Sequence, residues 1–369
     1  MFLESLEVTH LRNLQHLKIS PHPKTNFIVG RNGCGKTSIL EAISLLSNGR
    51  SFRSVDPKKV ISHTASELVV FGGVNPGNGS GPEKLGISKG MNGSTLARID
   101  GETQKRISSL AIKLPIVSID TGSIELIDGG PGLRRSILDW GMFHVEHTYL
   151  DIWHRYRRVY KQKNALLKST KVISENDLSY WNQQLVNEGQ LIDDMRGKYI
   201  AELNAQFQNI ASNYFNIAEP VSLRYKSGWN KQKYSDLYQC LELNARTEIE
   251  RKTCLYGPHR ADMVISWSDG MAKDICSRGQ KKLVLYGVRL AQVAVMRALR
   301  SISPVLLLDD LPAELDKNNI EYVTRFLMDF PCQAFITAIS EQSINETLLS
   351  QLTEHHMFHV EHGKLVSAE

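Results

Sequence analysis

The sequence lacks any apolar run that approaches the ~20 residues of a membrane-spanning helix, so no part of it is expected to enter a membrane. Glu4 and Glu7 interrupt the N-terminal segment, where a secretory signal would carry an unbroken apolar stretch. The five cysteines form no CxxC pair, which argues against a disulfide framework and against a zinc site. These absences favour a protein of the reducing cytoplasm.

A strong excess of charge of either sign is also missing. Lysine and arginine number 44 against 39 acidic residues, and a formal net charge of +5 is too small by itself to predict a nucleic-acid partner. With 41% hydrophobic and 22% charged residues, the 369-residue chain has the composition of an ordinary globular protein. Its length suits one large domain with an insertion, or two domains.

The stretch GRNGCGKT is a complete Walker A loop, a phosphate-binding sequence between a strand and a helix. It consists of Gly30, Arg31, Asn32, Gly33, Cys34, Gly35, Lys36 and Thr37, and Ser38 follows it. The glycines let backbone N–H groups of the loop point at phosphate oxygens. Lys36 would reach the β- and γ-phosphates of ATP, and the Thr37 hydroxyl would bind Mg²⁺.

The residues on both sides of this loop support the match. Asn26–Val29 is a short apolar run that predicts a buried strand. Ile39, Ile43 and Leu46 recur at helical spacing, and Gly49 stands where a helix would end. The order is therefore strand, glycine loop and helix, as a phosphate-binding loop requires.

A Walker B strand is the second half of this predicted site. Val305–Leu308 is apolar throughout and leads into Asp309 and Asp310, at the carboxyl end of a predicted buried parallel strand. Asp309 would hold Mg²⁺ directly or through water, and Asp310 would position or activate the attacking water as the catalytic residue.

Between the two Walker motifs, Ser277, Arg278, Gly279 and Gln280 spell the SxGQ core of the ATP-binding-cassette (ABC) signature. A serine hydroxyl and glycine amides at a helix N-terminus can bind a phosphate. In cassette ATPases they bind the ATP that a second subunit holds. The alternative is an ordinary serine that caps its own helix.

The rest of the chain predicts two kinds of structure. Phe2–Ile19 and Glu67–Ile99 read as antiparallel hairpins, and Leu114–Ile119 reads as a further buried strand. Pro131 suits the first turn of a helix, and Tyr149–Tyr214 has long helical patterns that suggest two packed helices.

Basic residues concentrate in two places. A solvated surface is the favoured interpretation for both, and contact with DNA or nucleotide is the alternative. The residues are Arg50 and Arg53 after the Walker helix, and Arg155, Arg157, Arg158, Lys161 and Lys163 in the long helical region.

With these motifs, the whole chain resembles the RecF family of bacterial recombination mediators, which shares its ATPase head with the structural-maintenance-of-chromosomes proteins. The similarity extends from end to end. It rests on Leu11-Arg12-Asn13-Leu14, GRNGCGKTS followed by LEAI, GRSFR at Gly49–Arg53, GGPGLRRSILDWG at Gly129–Gly141, the segment Gly257–Asp262, SRGQKK and LLLDDLPAELD.

The resemblance implies an α/β fold, in which a P-loop ATPase head of the ABC type carries an antiparallel β subdomain. The head would comprise residues 1–145 and 252–369, and residues 146–251 would form an inserted helical arm domain. By position, Arg12 and Asn13 would contact the nucleotide. Asp316 would be the D-loop aspartate near a dimer seam.

Three departures from cassette ATPases accompany the resemblance. Asp120–Ser123 stands where a glutamine loop is usual, Ile336–Ser340 lacks the switch histidine, and Asp310 replaces the usual glutamate. We therefore expect slow hydrolysis, with ATP acting more as a clamp than as a fuel.

The function that the resemblance implies is that of a cytoplasmic repair and replication protein with ATP and Mg²⁺ as cofactors. It would form an ATP-dependent homodimer, bind double-stranded or gapped DNA near single-strand gaps, help recombinase loading with other recombination mediator proteins, and hydrolyse ATP weakly with stimulation by DNA. A transporter's nucleotide-binding subunit, which would need a membrane partner, and a P-loop kinase for a small molecule are the alternatives.

Overall fold

The computed structural model describes residues 1–54, 56–169, 173, 175–344 and 346–366. Its strands in chain order are β1 (Phe2–Leu11), β2 (Leu14–Ile19), β3 (Thr25–Val29), β4 (Glu67–Asn75), β5 (Glu83–Gly90), β6 (Thr95–Ile99), β7 (Glu102–Thr103), β8 (Ile116–Ile119), β9 (Val221–Lys226), β10 (Asp262–Trp267), β11 (Gly270–Met271), β12 (Val305–Leu308), β13 (Ala334–Ala338), β14 (His355–Glu361) and β15 (Lys364–Val366).

The α-helices lie before, between and after groups of these strands along the chain. In chain order they are α1 (Lys36–Asn48), α2 (Ser108–Lys113), α3 (Glu125–Asp128), α4 (Pro131–Val145), α5 (Tyr149–Lys168), α6 (Glu175–Asn213), α7 (Leu237–Leu243), α8 (Ala245–Arg251), α9 (Ala272–Ile275), α10 (Arg278–Arg300), α11 (Leu311–Glu314), α12 (Lys317–Asp329) and α13 (Glu346–Gln351). Within the ranges that the structure describes, no helix has both the length and the apolarity to cross a bilayer.

Packing divides the chain into two compact units. The first unit comprises residues 1–123, 213–216 and 282–369, and the second comprises residues 124–212 and 217–281. Residues 124–145 and 252–281, which were predicted to belong to the head, therefore pack within the second unit. The functional division into head and arm stays a prediction.

A sheet with parallel strands at its centre forms the middle of the first unit. Its strand order is β15-β14-β3-β13-β12-β8, and the pairs among β14, β3, β13, β12 and β8 are all parallel. Every residue of β3, β12 and β13 is buried, as strands covered on both faces must be. Because parallel strands end on the same side, the residues after β3, β12, β13 and β8 share one edge of the sheet.

An antiparallel sheet is the other layer of the first unit. Its order is β2-β1-β4-β5-β6-β7, which confirms the hairpins predicted from the sequence. Buried and exposed residues alternate along the first part of β4, as expected for a sheet with one face on a core. That core is shared with the Walker helix α1, whose Ile39, Ile43 and Leu46 are fully buried.

The second unit contains the two long helices predicted from the sequence, α5 with 20 residues and α6 with 39. Ile152 and Tyr156 of α5 are buried, so the apolar stripe of that helix belongs to a core. Exposed lysine and arginine residues occupy other positions of the same helix, and they are Arg155, Arg157, Arg158, Lys161 and Lys168.

Lys163 corrects the prediction that the basic residues of this region are a solvated surface. Its side chain is fully buried, and its Nζ donates to Glu248 Oε2 at 2.6 Å. The other carboxylate oxygen, Glu248 Oε1, accepts from the backbone N–H of Leu255 at 2.7 Å. A buried ammonium is tolerated here because its partner neutralises it and is itself hydrogen-bonded.

His259 is a second buried ionisable group of this unit. Its Nδ1 lies 2.6 Å from the Tyr156 hydroxyl and its Nε2 lies 3.3 Å from the Cys254 carbonyl oxygen. A neutral imidazole satisfies both contacts, accepting at Nδ1 and donating at Nε2. Burial lowers the pKa of His259 to about 4, so folding disfavours the charged ring.

This pKa shift predicts that the second unit loses stability in mild acid. Since the unfolded chain takes up a proton near pH 6.5 and the folded one only near pH 4, His259 costs the fold about 2 kcal/mol at pH 5 and nothing at pH 8. Urea unfolding at both pH values should show this extra loss in the parent protein but not in His259→Gln. Equal losses in the two proteins would contradict the assignment.

Candidate nucleotide-binding site

The predicted Walker A loop lies between β3 and α1, as its sequence context requires. Gly30 and Gly35 have positive φ angles of 156° and 121°. A Cβ atom on Gly30 would lie 2.3 Å from the Val360 carbonyl oxygen, so only glycine fits there. The helix that follows ends at Gly49 in the left-handed conformation, with φ 68°, which confirms the predicted C-cap.

Lys36 lies over the loop. Its Nζ donates to the carbonyl oxygens of Gly30 at 2.6 Å and Arg31 at 3.1 Å, and the residue is buried. These bonds hold the ammonium group at the centre of the glycine turn. A phosphate that enters the loop would meet this charge at short range, where it is poorly screened by water.

Asp309 joins the two Walker motifs. It follows β12, and its carboxylate accepts from the Thr37 hydroxyl at 3.0 Å to Oδ1 and 3.1 Å to Oδ2. The Thr337 hydroxyl donates to the same Oδ1 at 2.8 Å. Two residues that the sequence places in separate motifs therefore form one polar centre at the carboxyl edge of the sheet.

Asp310 has an unusual backbone and an unusual carboxyl group. It adopts the left-handed conformation with φ 56° and ψ 39°, and its Oδ1 is buried without a hydrogen-bond partner in the part of the chain that the structure describes. Burial raises the pKa of Asp310, and the neighbouring Asp309 carboxylate raises it further. A buried oxygen of this kind suits an acceptor that holds a water molecule.

These residues fit a Mg²⁺ ion bound together with a nucleotide. The Thr37 hydroxyl uses its proton on Asp309 and keeps oxygen lone pairs for a metal, and hydroxyl and carboxylate oxygens are ligands that Mg²⁺ prefers. No cluster of three or more His, Cys, Asp or Glu side chains suited to a metal occurs among the described residues. The ion would therefore depend on phosphate oxygens and water for its remaining ligands.

Arg12 and Asn13 lie beside the Walker loop. Arg12 forms a bidentate ion pair with the fully buried Glu41 of α1, at 2.5 Å and 2.8 Å, and Glu41 also accepts from the Ser51 hydroxyl. Asn13 donates to the Gly33 carbonyl oxygen at 3.1 Å and accepts from the Ser38 hydroxyl at 3.1 Å. Glu41 thus anchors the arginine, and Asn13 ties its loop to the phosphate loop.

A cavity of about 410 Å³ collects most of the predicted site residues of the first unit. The predicted residues that line it are Arg12, Asn13, Asn32, Gly33, Gly35, Lys36, Thr37, Ser38, Asp309 and Asp310. Gly30, Arg31 and Cys34 line a neighbouring cavity of about 550 Å³ with Asn32 and Gly33. Arg53 and Thr121 also line the first cavity. Two arginine side chains, those of Arg12 and Arg53, therefore line it together with Lys36.

Thr337 and Glu41 are site residues that sequence reasoning missed. Thr337 lies in the apolar strand β13, and only the sheet order shows that this strand lies between β3 and β12. Glu41 is an acidic residue inside the apolar pattern of α1, and such a residue signals a buried partner. Its partner, Arg12, could not be identified from spacing.

Asp120 follows β8, at the place where cassette ATPases usually have a glutamine loop. Its Oδ1 accepts from the Gly122 N–H at 2.8 Å, and burial raises the pKa of its carboxyl group. The backbone N–H of Asp309 donates to Ile119 at 2.9 Å, so the β8 turn is held against the Walker B strand. The next residue, Thr121, reaches the cavity.

The signature residues belong to the second unit and begin α10. Ser277 Oγ accepts from the Gln280 N–H at 3.3 Å, and the Ser277 N–H donates to Gln280 Oε1 at 2.8 Å. This reciprocal pair is a capping box. Gly279 has open space where a side chain would be.

Asp316 of the first unit caps α12 and accepts from the Asn319 N–H at 2.9 Å. Its carboxylate therefore has a local helix-capping role in the chain itself.

A parallel sheet with Walker A after β3 and Walker B after β12, combined with an antiparallel sheet over α1, defines a P-loop ATPase head of the ABC type. The family model described as "RecF/RecN/SMC N terminal domain" matches residues 2–364. The DNA replication and repair protein RecF of Coxiella burnetii (strain RSA 493 / Nine Mile phase I) is 37% identical over 366 residues, which are 99% of each chain. The chain therefore belongs to the RecF family.

Solved structures agree with this assignment. The one described as "Structure of the recombination mediator protein RecF-ATP in RecFOR pathway" matches with a TM-score of 0.87 at 25% identity, over 100% of this chain and 98% of that chain. An SMC head bound to the C-winged helix domain of ScpA matches with a TM-score of 0.60 at 14% identity, over 100% of this chain and 98% of that chain. The latter similarity concerns the fold alone.

Proposed function

We propose that this chain is an ATP-dependent DNA-binding protein of recombinational repair and replication in the cytoplasm. Two copies close on ATP, bind DNA at single-strand gaps, help recombinase loading with other recombination mediator proteins, and reopen after slow hydrolysis. The observation that carries the proposal is the direct bond between Thr37 and Asp309, which makes the two Walker motifs one site. The full-length similarity to RecF supports the repair role and counts against the transporter-subunit alternative.

In this proposal the Walker loop and Lys36 bind the triphosphate, while Thr37 and Asp309 hold Mg²⁺, which supplies a positive charge to the phosphates. The RecF structure described with ATP supports the choice of nucleotide. Asp310 positions the attacking water, for which its buried Oδ1 is suited, since this oxygen has no hydrogen-bond partner among the described residues. An aspartate reaches less far than a glutamate, which supports slow turnover by a weak ATPase. Stimulation of this ATPase by DNA is part of the same proposal.

Two substitutions separate ATP binding from hydrolysis. Lys36→Ala should remove most ATP affinity because a buried ammonium is lost from the phosphates. Asp310→Asn should keep ATP bound but slow its hydrolysis about 10²-fold or more, since a neutral amide cannot take up a proton from the attacking water as a carboxylate can. Titration with a fluorescent ATP analogue and single-turnover hydrolysis measure the two effects, with Lys18→Ala on the exposed side of β2 as the control. Equal turnover by Asp310→Asn and the parent protein would refute the role of Asp310.

The proposed dimer depends on the signature residues. Ser277, Gly279 and Gln280 lie at the start of a 23-residue helix, where backbone N–H groups can bind a phosphate. Among the described residues, none lies within 4 Å of the place that a Cβ atom of Gly279 would take, so packing does not explain a glycine there. Close approach of ATP from a second copy does explain it, and Asp316 would then lie near the same seam.

Ser277→Arg should therefore separate ATP binding from dimerisation. Arginine places a bulky side chain in the seam and leaves the Walker loop intact, so ATP affinity should stay within about twofold while the ATP-dependent dimer is lost. Mass in solution at saturating ATP measures the dimer. Ser277→Ala removes the same hydroxyl without adding bulk, at a cost of about 1 kcal/mol to the helix cap, so it should weaken the dimer less than Ser277→Arg does. A Ser277→Arg protein that binds ATP and dimerises like its parent would exclude the cassette interpretation.

Phosphate contacts are the proposed basis of DNA binding. Arg155, Arg157, Arg158 and Lys161 are exposed on α5, and Arg155 also forms an ion pair with Glu188. Lys163 is fully buried in its ion pair with Glu248 and cannot contact DNA. Arg50 and Arg53 are exposed in the first unit. Contacts of this kind hold DNA without reading its sequence.

If these side chains touch phosphates, DNA affinity should fall with salt by about 0.9 log-log unit for each contact. Replacing Arg157, Arg158 or Lys161 with alanine should lower this slope by about one contact each, and Lys18→Ala should leave it unchanged. Fluorescence anisotropy with a gapped duplex at several salt concentrations gives the slope. Binding that is insensitive to salt, or equally sensitive in all variants, would argue against phosphate contacts by α5.

A further inference from the structure

The strand β13 lies between the two strands that carry the Walker motifs. It pairs in parallel with β3 on one side and with β12 on the other, so a residue near its carboxyl end lies between the Walker A loop and the Walker B aspartates. Thr337 is that residue, paired in register with Ile28 of β3, and its side chain is fully buried. Any hydroxyl here must find its hydrogen bonds inside the protein.

The Thr337 hydroxyl makes two such bonds, both to Walker B residues. It donates to Asp309 Oδ1 at 2.8 Å and accepts from the backbone N–H of Asp310 at 2.7 Å. Its proton and one lone pair are both engaged, so the hydroxyl is fixed in direction. One side chain therefore holds the carboxylate of the first aspartate and the backbone of the second.

Each bond has a distinct consequence for the site. With Thr37 and Thr337 on the Asp309 carboxylate, that group is held between two hydroxyls and cannot rotate without losing one of them. Asp310 adopts the left-handed conformation, which costs a non-glycine residue free energy and persists only where neighbours stabilise it. The bond to its N–H is such a support, because it fixes the turn from which the Asp310 carboxyl group projects.

We propose that Thr337 is a positioning residue of the nucleotide site, which aligns Asp309 with Thr37 and holds the Asp310 turn in the geometry for hydrolysis. The inference rests on the proposed ATPase function. Thr337 belongs to β13 and not to either Walker motif. Through its two hydrogen bonds it fixes the position of the metal-binding Asp309 relative to the water-positioning Asp310. If Thr337 had only a structural role, removal of its hydroxyl would lower the stability of the protein. It would have no specific effect on Mg²⁺ binding or on the rate of ATP hydrolysis.

Thr324 provides a matched control for that structural alternative. It is also fully buried in the first unit, and its hydroxyl donates to the Ile320 carbonyl oxygen at 2.8 Å within α12. Thr324→Val therefore removes a buried threonine hydroxyl in the same way, away from the Walker motifs. Thr337→Val removes the hydroxyl at nearly constant volume, and Thr337→Ser restores it.

The experiment measures the affinity for a fluorescent ATP analogue with and without Mg²⁺, and the single-turnover rate of ATP hydrolysis, in these three variants and the parent protein. Thr337→Val should keep the affinity measured without Mg²⁺ within about twofold, because Lys36 and the glycine loop are unchanged. The gain in affinity on adding Mg²⁺ and the hydrolysis rate should each fall about tenfold to a hundredfold, as expected when a bond to a charged group is lost. Thr337→Ser and Thr324→Val should lie near the parent protein.

Two results would overturn the inference. One is a Thr337→Val protein that matches Thr324→Val in Mg²⁺ response and rate, and the other is an equal loss of affinity with and without Mg²⁺. Melting temperatures identify a variant that does not fold, and Thr337→Ala then replaces it in the same comparison. A parent protein that binds no ATP analogue would instead refute the proposed function, so the two failures are distinguishable.

Discussion

The hydrogen bond between Thr37 and Asp309 is the contact on which the candidate site depends. It joins residues 272 positions apart, and the whole of the second unit lies between them in sequence. The bond requires β13 and β12 to lie beside β3 in the parallel sheet. Since parallel pairing requires closure of long loops before its contacts form, the site is complete only when the first unit is folded.

The features that could be predicted from the sequence are those that local patterns of residues encode. The Walker A loop, the helix end at Gly49 and the apolar strand before Asp309 each depend on neighbouring residues, and the structure has all three. The partners of buried polar groups could not be predicted in this way. Lys163 looked like a surface residue because its partner Glu248 lies 85 positions away, on another helix.

Thr337 shows the same limit within the site. In the sequence it is one polar residue in the apolar strand β13, and such threonines often satisfy their hydroxyl locally. Its role follows from sheet order, which the spacing of motifs does not specify. The compact units differ from the predicted domain boundaries for a related reason, since Arg196 of α6 donates to Asp139 and to the Pro258 carbonyl oxygen and so ties 124–145 and 252–281 to the predicted arm.

The buried carboxylate of Glu41 holds Arg12, which lines the nucleotide cavity. Glu41 is fully buried and is satisfied by Arg12 and by Ser51, so removing Arg12 would leave an unpaired charge inside the protein. Arg12 also has a positive φ of 51°. The position of Arg12 in the cavity therefore depends on an ion pair that is costly to break. A cavity whose charged groups are already fixed in place binds a charged ligand with less reorganisation.

The two interpretations of Ser277 are compatible rather than exclusive. As a helix cap the hydroxyl accepts from the Gln280 N–H, which uses a lone pair and leaves the hydroxyl proton for a second bond. A phosphate oxygen needs donors, and a hydroxyl proton beside the first N–H groups of α10 supplies them. Gln280 contributes by accepting from the Ser277 N–H, which fixes the serine at the helix start. The capping box therefore prepares the orientation that binding ATP from a second copy would require, so finding the cap in one chain does not count against a role in the dimer.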